Sequence, residues 1–113
     1  MHEFSLAQNV VEIVEQAVTD NKASKATRVI IEIGKLSGVE IEAFKTAMEA
    51  LQPGTLLGEA EIQYDIKEGL AQCQNCGTRF PADNLFTPCP QCGAYHSDIT
   101  QGKELLVKSI TAE

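Results

Sequence analysis

The chain has no tryptophan, few other aromatic residues and little positive charge. Among its 113 residues are four phenylalanines and two tyrosines, and nine lysines and arginines stand against sixteen acids, for a formal net charge of -7. Nucleic-acid binding is disfavoured, because contact with phosphates requires a basic stripe. No apolar run approaches the roughly 18 residues that a membrane-spanning helix needs, so no membrane segment is predicted.

The sequence also lacks recognisable targeting and catalytic features. Its N-terminus has no basic region followed by an apolar stretch, which predicts a cytoplasmic protein rather than a secreted one. Gly34-Lys35 resembles part of a phosphate-binding loop, but Val29 and Leu36 occupy positions where that motif needs glycine and Ser or Thr. With no nucleophile–base pair visible either, the chain is predicted not to be an enzyme.

All four cysteines lie in one short stretch as two C-x-x-C pairs. Cys73 and Cys76 form the first pair, Cys89 and Cys92 the second, and twelve residues separate the pairs. A glycine follows each pair, and a positive φ there would let backbone N–H groups point back at the sulfurs. Four thiolates in a tetrahedron suit a structural Zn²⁺ and leave no open position for a substrate.

Other uses of the four thiols remain open from the pattern alone. Two disulfides would require an oxidising compartment, and iron in a rubredoxin-like electron carrier accepts the same four ligands. His96, four residues past Cys92, is predicted to lie at the surface or beside the ligands, because four sulfurs already saturate zinc. Residues 70–98 have little apolar content, so metal binding is expected to supply much of their folding free energy.

The rest of the chain predicts an α+β fold, with two helices packed on one face of a small three-stranded mixed sheet. A Ser5–Gln8 capping box predicts a helix to about Asp20 behind an arm of residues 1–4. Strands are predicted at 28–33, 60–67 and 105–110, and a second helix at 41–51. The inward face of the first helix is predicted from its apolar spacing as Leu6, Val10, Ile13, Val14 and Ala17.

This order of elements predicts two domains. Residues 1–69 plus 99–113 would form the α+β core, and residues 70–98 a zinc-ribbon module inserted between the last two strands. Short connectors near Gly69 and Gly102 suggest that the module reorients against the core.

The N-terminus is a second candidate metal site. The Met1 amine and the His2 imidazole both lose protons near neutral pH, and nitrogen donors in a square-planar set suit Ni²⁺ or Cu²⁺. Glu3 adds negative charge close by. From ligand chemistry alone, an exposed His2 without a role is the simpler interpretation.

The pattern over the whole chain changes this interpretation. Met1-His2-Glu3 with Phe4-Ser5-Leu6, the segments 33–39 and 102–105, and the two C-x-x-C pairs together resemble the HypA/HybF family of hydrogenase nickel-incorporation proteins. The resemblance implies a cytoplasmic metallochaperone that delivers Ni²⁺ to the [NiFe]-hydrogenase large subunit precursor, together with a HypB-type GTPase.

The resemblance also implies two separate metal sites. Nickel would be bound by the Met1 amine, the His2 imidazole and backbone nitrogens near His2 and Glu3, and zinc by the four cysteines, Cys73, Cys76, Cys89 and Cys92. Glu40 stands where some members have an aspartate that approaches the nickel. A monomer or a homodimer is expected. The alternative is a zinc-ribbon adaptor that binds another macromolecule, with His2 incidental.

Overall fold

The computed structural model describes residues 3–113 and contains two helices and two three-stranded sheets. The elements are α1 Glu3–Asp20, β1 Ala26–Gly34, α2 Ile41–Leu51, β2 Glu61–Lys67, β3 Leu70–Cys73, β4 Arg79–Pro81, β5 Ser97–Gln101 and β6 Leu105–Ala112. One sheet has the order β2-β1-β6 and the other β4-β3-β5. The predicted α+β class, with a cysteine-bearing insertion before the last strand, is confirmed.

The chain divides into two compact units. The helical unit comprises Met1–Glu32, Val39–Asp65 and Leu106–Glu113, and the cysteine unit comprises Ile33–Gly38 and Ile66–Leu105. These units differ in their bounds from the two predicted domains, residues 1–69 plus 99–113 and residues 70–98. That division, and the reorientation of the zinc-ribbon module against the core, stay predictions.

Helix α1 begins earlier than its sequence pattern predicts. Its first residue is Glu3, so Ser5 and Gln8 lie inside the helix and the predicted capping box is wrong. A carboxylate in the first turn interacts favourably with the helix dipole, which helps to explain how the helix extends past Ser5. Of the predicted arm, Glu3 and Phe4 are helical, and Met1 and His2 lie outside the described residues.

The C-terminus of α1 is closed by a Schellman motif. The N–H of Ala23 donates to the carbonyl of Val18 at 3.0 Å, and the N–H of Lys22 donates to that of Thr19 at 3.0 Å. Lys22 has the left-handed conformation that this motif requires, with φ 57°. A lysine therefore occupies the position where glycine is the usual residue.

The buried face of α1 is rotated from the predicted one. Val10 and Val14 are buried as predicted, but Ile13 is 55% exposed, and the remaining buried residues are Ala7, Val11 and Val18. Leu6 and Ala17 are only half-buried. Apolar residues cover so much of this helix that their spacing alone could not locate the centre of the buried face.

The predicted inward faces of β1 and α2 are confirmed in part, since Ile41 and Leu51 of α2, also predicted to face inward, are only half-buried. Val29 and Ile31 of β1 and Phe44 and Met48 of α2 are fully buried. Phe44 meets Tyr64 of β2 edge to face, with the ring centroids 6.4 Å apart and the planes at 88°. This contact places α2 against the sheet.

The cysteine unit has a sheet that the sequence pattern did not predict. Strand β3 pairs antiparallel with β4, setting Ala71 opposite Phe80, and with β5, setting Cys73 opposite Ser97. A small core lies on it, formed by Ala71, Cys73, Phe80, Ala82 and Cys89. Strands of three to five residues with few β-branched side chains give too little periodic signal to be recognised.

The last residue of β1 and the loop that follows it are packed tightly in the same unit. The N–H of Gly34 donates to the carbonyl of Glu104, and that of Leu36 to the carbonyl of Gly102, both at 2.7 Å. A Cβ on Gly34 would overlap the carbonyl oxygen of Gly102, so only glycine fits this close backbone approach.

Candidate metal centre

The four cysteines lie on two turns with the same hydrogen-bond pattern. In the first, Cys73 N–H donates to Thr78 O at 2.9 Å and Gly77 N–H to Cys73 O at 2.9 Å. In the second, the equivalent bonds are Cys89 N–H to Ala94 O at 2.9 Å and Gly93 N–H to Cys89 O at 2.8 Å. The φ angles of Gly77 and Gly93 are 80° and 75°, as the sequence analysis predicts.

The sulfurs of the four cysteines converge on one point. All four Sγ atoms lie within 4.8 Å of one another, and the Cys73–Cys92 and Cys76–Cys89 distances are both 3.6 Å. A tetrahedron with Zn–S bonds of about 2.3 Å has edges of about 3.8 Å, whereas a disulfide is about 2.05 Å long. All four cysteines are free thiols, so the geometry fits a four-thiolate zinc site and not two disulfides.

Each turn contributes one buried and one exposed cysteine. Cys73 and Cys89 are each only 2% exposed and belong to the small core of the cysteine unit, while Cys76 and Cys92 are exposed. Removing a metal from this centre would therefore disturb the core as well as the surface turns. Metal binding and folding are coupled in such an arrangement.

Hydrogen bonds lower the pKa of the two exposed thiols. The Cys76 thiol donates to Thr78 Oγ1 at 3.1 Å, and in the thiolate form the hydroxyl donates instead. This bond and then the Thr78 N–H lower the pKa of Cys76 from 9.0 to about 6. The backbone N–H of Ala94 and then the Asn75 amide lower the pKa of Cys92. Metal ligation requires the thiolate form, so these hydrogen bonds favour it.

Hydrogen bonds from neighbouring groups stabilise the cysteine turns. The backbone contact to a sulfur is of the kind predicted from the sequence, whereas the contacts of Asn75 and Gln74 were not predicted. The Cys76 N–H donates to Cys73 Sγ at 3.5 Å, and the Asn75 amide donates across the site to Cys92 Sγ at 3.6 Å. The Gln74 side chain donates to Asp98 Oδ1 at 2.8 Å. The side-chain contacts of Asn75 and Gln74 follow only from the tertiary structure, because Cys92 and Asp98 are far from them in sequence. His96 is exposed and is not among the clustered ligands.

Of the four residues predicted at or near the nickel site, the structure describes Glu3 and Glu40. Glu3 Oε2 accepts a hydrogen bond from the backbone N–H of Glu40 at 3.2 Å. Glu40 is the N-cap residue of α2, with φ -77° and ψ 101°, and its side chain makes no capping bond. Met1 and His2 lie outside the described residues, so their ligand roles stay predictions.

Two further findings concern other metal-binding groups and membrane-spanning helices. Among residues 3–113, the four cysteines are the only group of three or more His, Cys, Asp or Glu side chains arranged to hold a metal ion. Neither described helix is long and apolar enough to cross a membrane.

Comparison with protein-family models identifies one family over nearly the whole chain. The model described as "Hydrogenase/urease nickel incorporation, metallochaperone, hypA" matches residues 1–112. The hydrogenase maturation factor HypA of Parabacteroides distasonis is 46% identical over 110 residues, covering 97% of this chain and 96% of that protein. The HypA of Geobacter sulfurreducens is 43% identical over 113 residues, covering all of both chains.

Solved structures agree with these matches. The solution structure of the Ni metallochaperone HypA from Helicobacter pylori is 25% identical, with a TM-score of 0.69, covering 99% of this chain and 97% of that one. A second solution structure of a HypA protein has a TM-score of 0.73 at 25% identity, covering 100% of this chain and 97% of that one. The chain therefore belongs to the HypA family of hydrogenase maturation factors.

Proposed function

We propose that the protein is a nickel metallochaperone that binds Ni²⁺ at its N-terminus and delivers it to the [NiFe]-hydrogenase large subunit precursor during maturation. The observation that carries this proposal is the family match, which spans residues 1–112 and so includes the N-terminal Met1-His2-Glu3. A HypB-type GTPase and the hydrogenase precursor are the proposed partners, and the protein acts in the cytoplasm as a carrier, not an enzyme.

The chemistry of the N-terminus suits a cargo site. The Met1 amine, the His2 imidazole and the intervening backbone nitrogens form a set of nitrogen donors that Ni²⁺ accepts in a square plane. Donors at a chain end are released one at a time, which favours transfer of the ion to another protein. The Glu3–Glu40 hydrogen bond supports a position for Glu40 near this metal.

The four cysteines would hold zinc as a structural ion. Four thiolates at the observed spacing saturate a tetrahedral Zn²⁺, so no position is left for a transferable ligand or an activated water. The bound ion would join the two cysteine turns to the core beneath them. A colourless preparation containing one zinc per chain would argue against iron and an electron-carrier function.

Nickel titration of zinc-loaded, untagged protein by calorimetry and absorbance tests the proposal. A copy with one extra residue before Met1 is the matched control, because it keeps every side chain and displaces only the terminal amine. We expect one Ni²⁺ per chain with a square-planar absorption band in the first protein and loss of this binding in the second. His2→Ala should also lose nickel while it keeps zinc and the fold.

Equal nickel binding by the two proteins, or none by either, would reject the N-terminal site. A zinc-ribbon adaptor would then be the better account of the chain. Maturation of a [NiFe]-hydrogenase in cells carrying His2→Ala separates the two functions further, because an adaptor would still support it.

A further inference from the structure

The outward side of α1 carries two adjacent ridges of side chains. One consists of Asn9, Ile13 and Ala17, and the other of Glu12, Gln16 and Asp20, each with a spacing of four residues. A shallow groove of about 620 Å³ lies between them and is lined by these six residues. We call it the α1 groove. Grooves between such ridges are the features into which the ridges of a second helix pack.

One wall of the α1 groove is partly apolar, because Ile13 and Ala17 lie on it beside Asn9. Ile13 is 55% exposed, and Ala17, one turn further along, also lines the groove. A single exposed isoleucine is ordinary at a protein surface. Here it stands on a helix whose core-facing side is already filled by five other residues, so the fold does not use it.

The other wall is acidic. Helix α1 contains four acids and no lysine or arginine. Among residues 3–113, the Glu12 carboxylate makes no hydrogen bond or ion pair, and the only partner of the Asp20 carboxylate is the amide of Gln16, at 2.8 Å. The helical unit as a whole carries twelve acids against five bases, whereas the cysteine unit carries four of each. The negative charge of the protein is thus concentrated on the unit that contains this groove.

We propose that the α1 groove docks a basic amphipathic helix of a partner protein. The ridges of α1 can receive those of a second helix, the exposed Ile13 favours an apolar residue facing it, and Glu12 and Asp20, which form no ion pair among the described residues, favour lysines or arginines beside that residue. A second copy of this chain does not fit, because it would set Glu12 and Asp20 against the same carboxylates. The groove contains no residue assigned to nickel or zinc, so it is independent of the proposed metal transfer.

The direct test is an NMR titration of full-length, zinc-loaded, ¹⁵N-labelled protein. The probe is a synthetic helical peptide with leucines along one face and lysines on either side, and the control peptide replaces each lysine with glutamate. We expect the basic peptide to shift the amide signals of α1 around Ile13 and the acidic peptide to leave them unchanged. Binding should weaken as salt is raised, since the charges are exposed.

Substitutions in the protein locate the interaction. Two variants of the protein, Ile13→Lys and the double variant Glu12→Lys, Asp20→Lys, should each bind the basic peptide with an affinity that is lower by about tenfold or more. Leu106→Lys and Glu49→Lys are matched controls, because they change an exposed apolar residue and an exposed acid elsewhere on the helical unit. Both should bind the peptide as the unchanged protein does.

Several results would overturn the proposal. The proposal fails if both peptides bind equally, if neither binds, or if the amide signals that shift lie outside α1. It also fails if Glu49→Lys lowers the affinity for the basic peptide as much as the groove variants do, which would indicate non-specific charge attraction. Sedimentation showing a dimer that Ile13→Lys dissociates would assign the groove to a second copy instead. Nickel titration of Ile13→Lys should be unchanged, so a failure here is distinguishable from a failure of the nickel site.

Discussion

The carboxylate of Glu3, in the first turn of α1, accepts a hydrogen bond from the backbone N–H of Glu40, the N-cap residue of α2. The bond joins the start of one helix to the start of the other, 37 residues apart in sequence. It satisfies a donor at a helix start where the side chain of Glu40 makes no capping bond.

Replacing Glu3 with alanine should therefore lower the stability of the helical unit. We expect the free energy of unfolding to fall by about 0.5–1 kcal/mol, since the bond is solvent-exposed. Glu40→Ala keeps the N–H donor and should have a smaller effect. Urea denaturation of the two variants makes the comparison, and equal losses would contradict this role for the Glu3 carboxylate.

Loss of one thiol should unfold the cysteine unit. Cys76→Ala leaves three ligands, so we expect zinc to be lost together with the packing around Phe80, because the buried cysteines belong to both the site and the core. Zinc content by mass spectrometry and NMR signals of β3, β4 and β5 measure the two effects. A zinc-free variant with an intact β4-β3-β5 sheet would contradict the coupling.

The Thr78 hydroxyl should affect the pH at which zinc is released on acidification. It is the largest of several causes that together lower the pKa of Cys76 to about 6, followed by the Thr78 N–H, so its stabilising effect is complete above the ordinary pKa of 9.0 and is lost as the pH falls through about 6. Thr78→Val should raise the pKa of Cys76 and move the midpoint of acid-induced zinc release upward by roughly half a pH unit.

A chromophoric zinc chelator present during acidification measures this release. Thr100→Val is a matched control in the same unit, because its hydroxyl contacts the carbonyl of Leu70 at 3.4 Å and no cysteine. Equal midpoints for the two variants would contradict a role for Thr78.

Tyr64 should make the protein sensitive to alkali. Burial, with a smaller effect from Glu49, raises its pKa from 10.0 to about 12. The folded state favours the neutral phenol, so this contribution to stability is fully present below pH 10.0 and is lost as the pH rises to about 12. Tyr64→Phe cannot ionise, and its free energy of unfolding should fall less over this interval. Parallel curves for the two proteins would contradict the assignment.

Glycine at position 22 should stabilise the end of α1. Lys22 has a φ of 57°, a conformation that glycine adopts without the steric cost of a Cβ. We expect Lys22→Gly to increase the free energy of unfolding by about 0.5–1 kcal/mol. Lys22→Ala removes the same charge and keeps the Cβ, so it should give no such increase. Thermal and urea unfolding of both variants distinguish the two causes.

The sequence predicted more of the fold where hydrophobic periodicity was unambiguous. The bounds of α2 and the buried Val29, Ile31 and Phe44 follow from single, narrow apolar faces. At α1 the same reasoning misplaced Ile13, because the apolar residues cover about half of the helix circumference and Ile13 lies at one edge of that broad face. It also missed β3, β4 and β5, whose order depends on pairing between distant residues rather than on local propensity.

By itself the sequence determined the ligand chemistry, since two C-x-x-C pairs followed by glycine specify thiolate turns whatever surrounds them. It also contained the terminal amine and histidine of the proposed nickel site, and the family to which the chain belongs. Only the tertiary structure decided which cysteines are buried, which groups lower the pKa of Cys76 and Cys92, and that Glu3 meets Glu40. These properties depend on burial and on distances between residues far apart in the chain, and local sequence does not specify them.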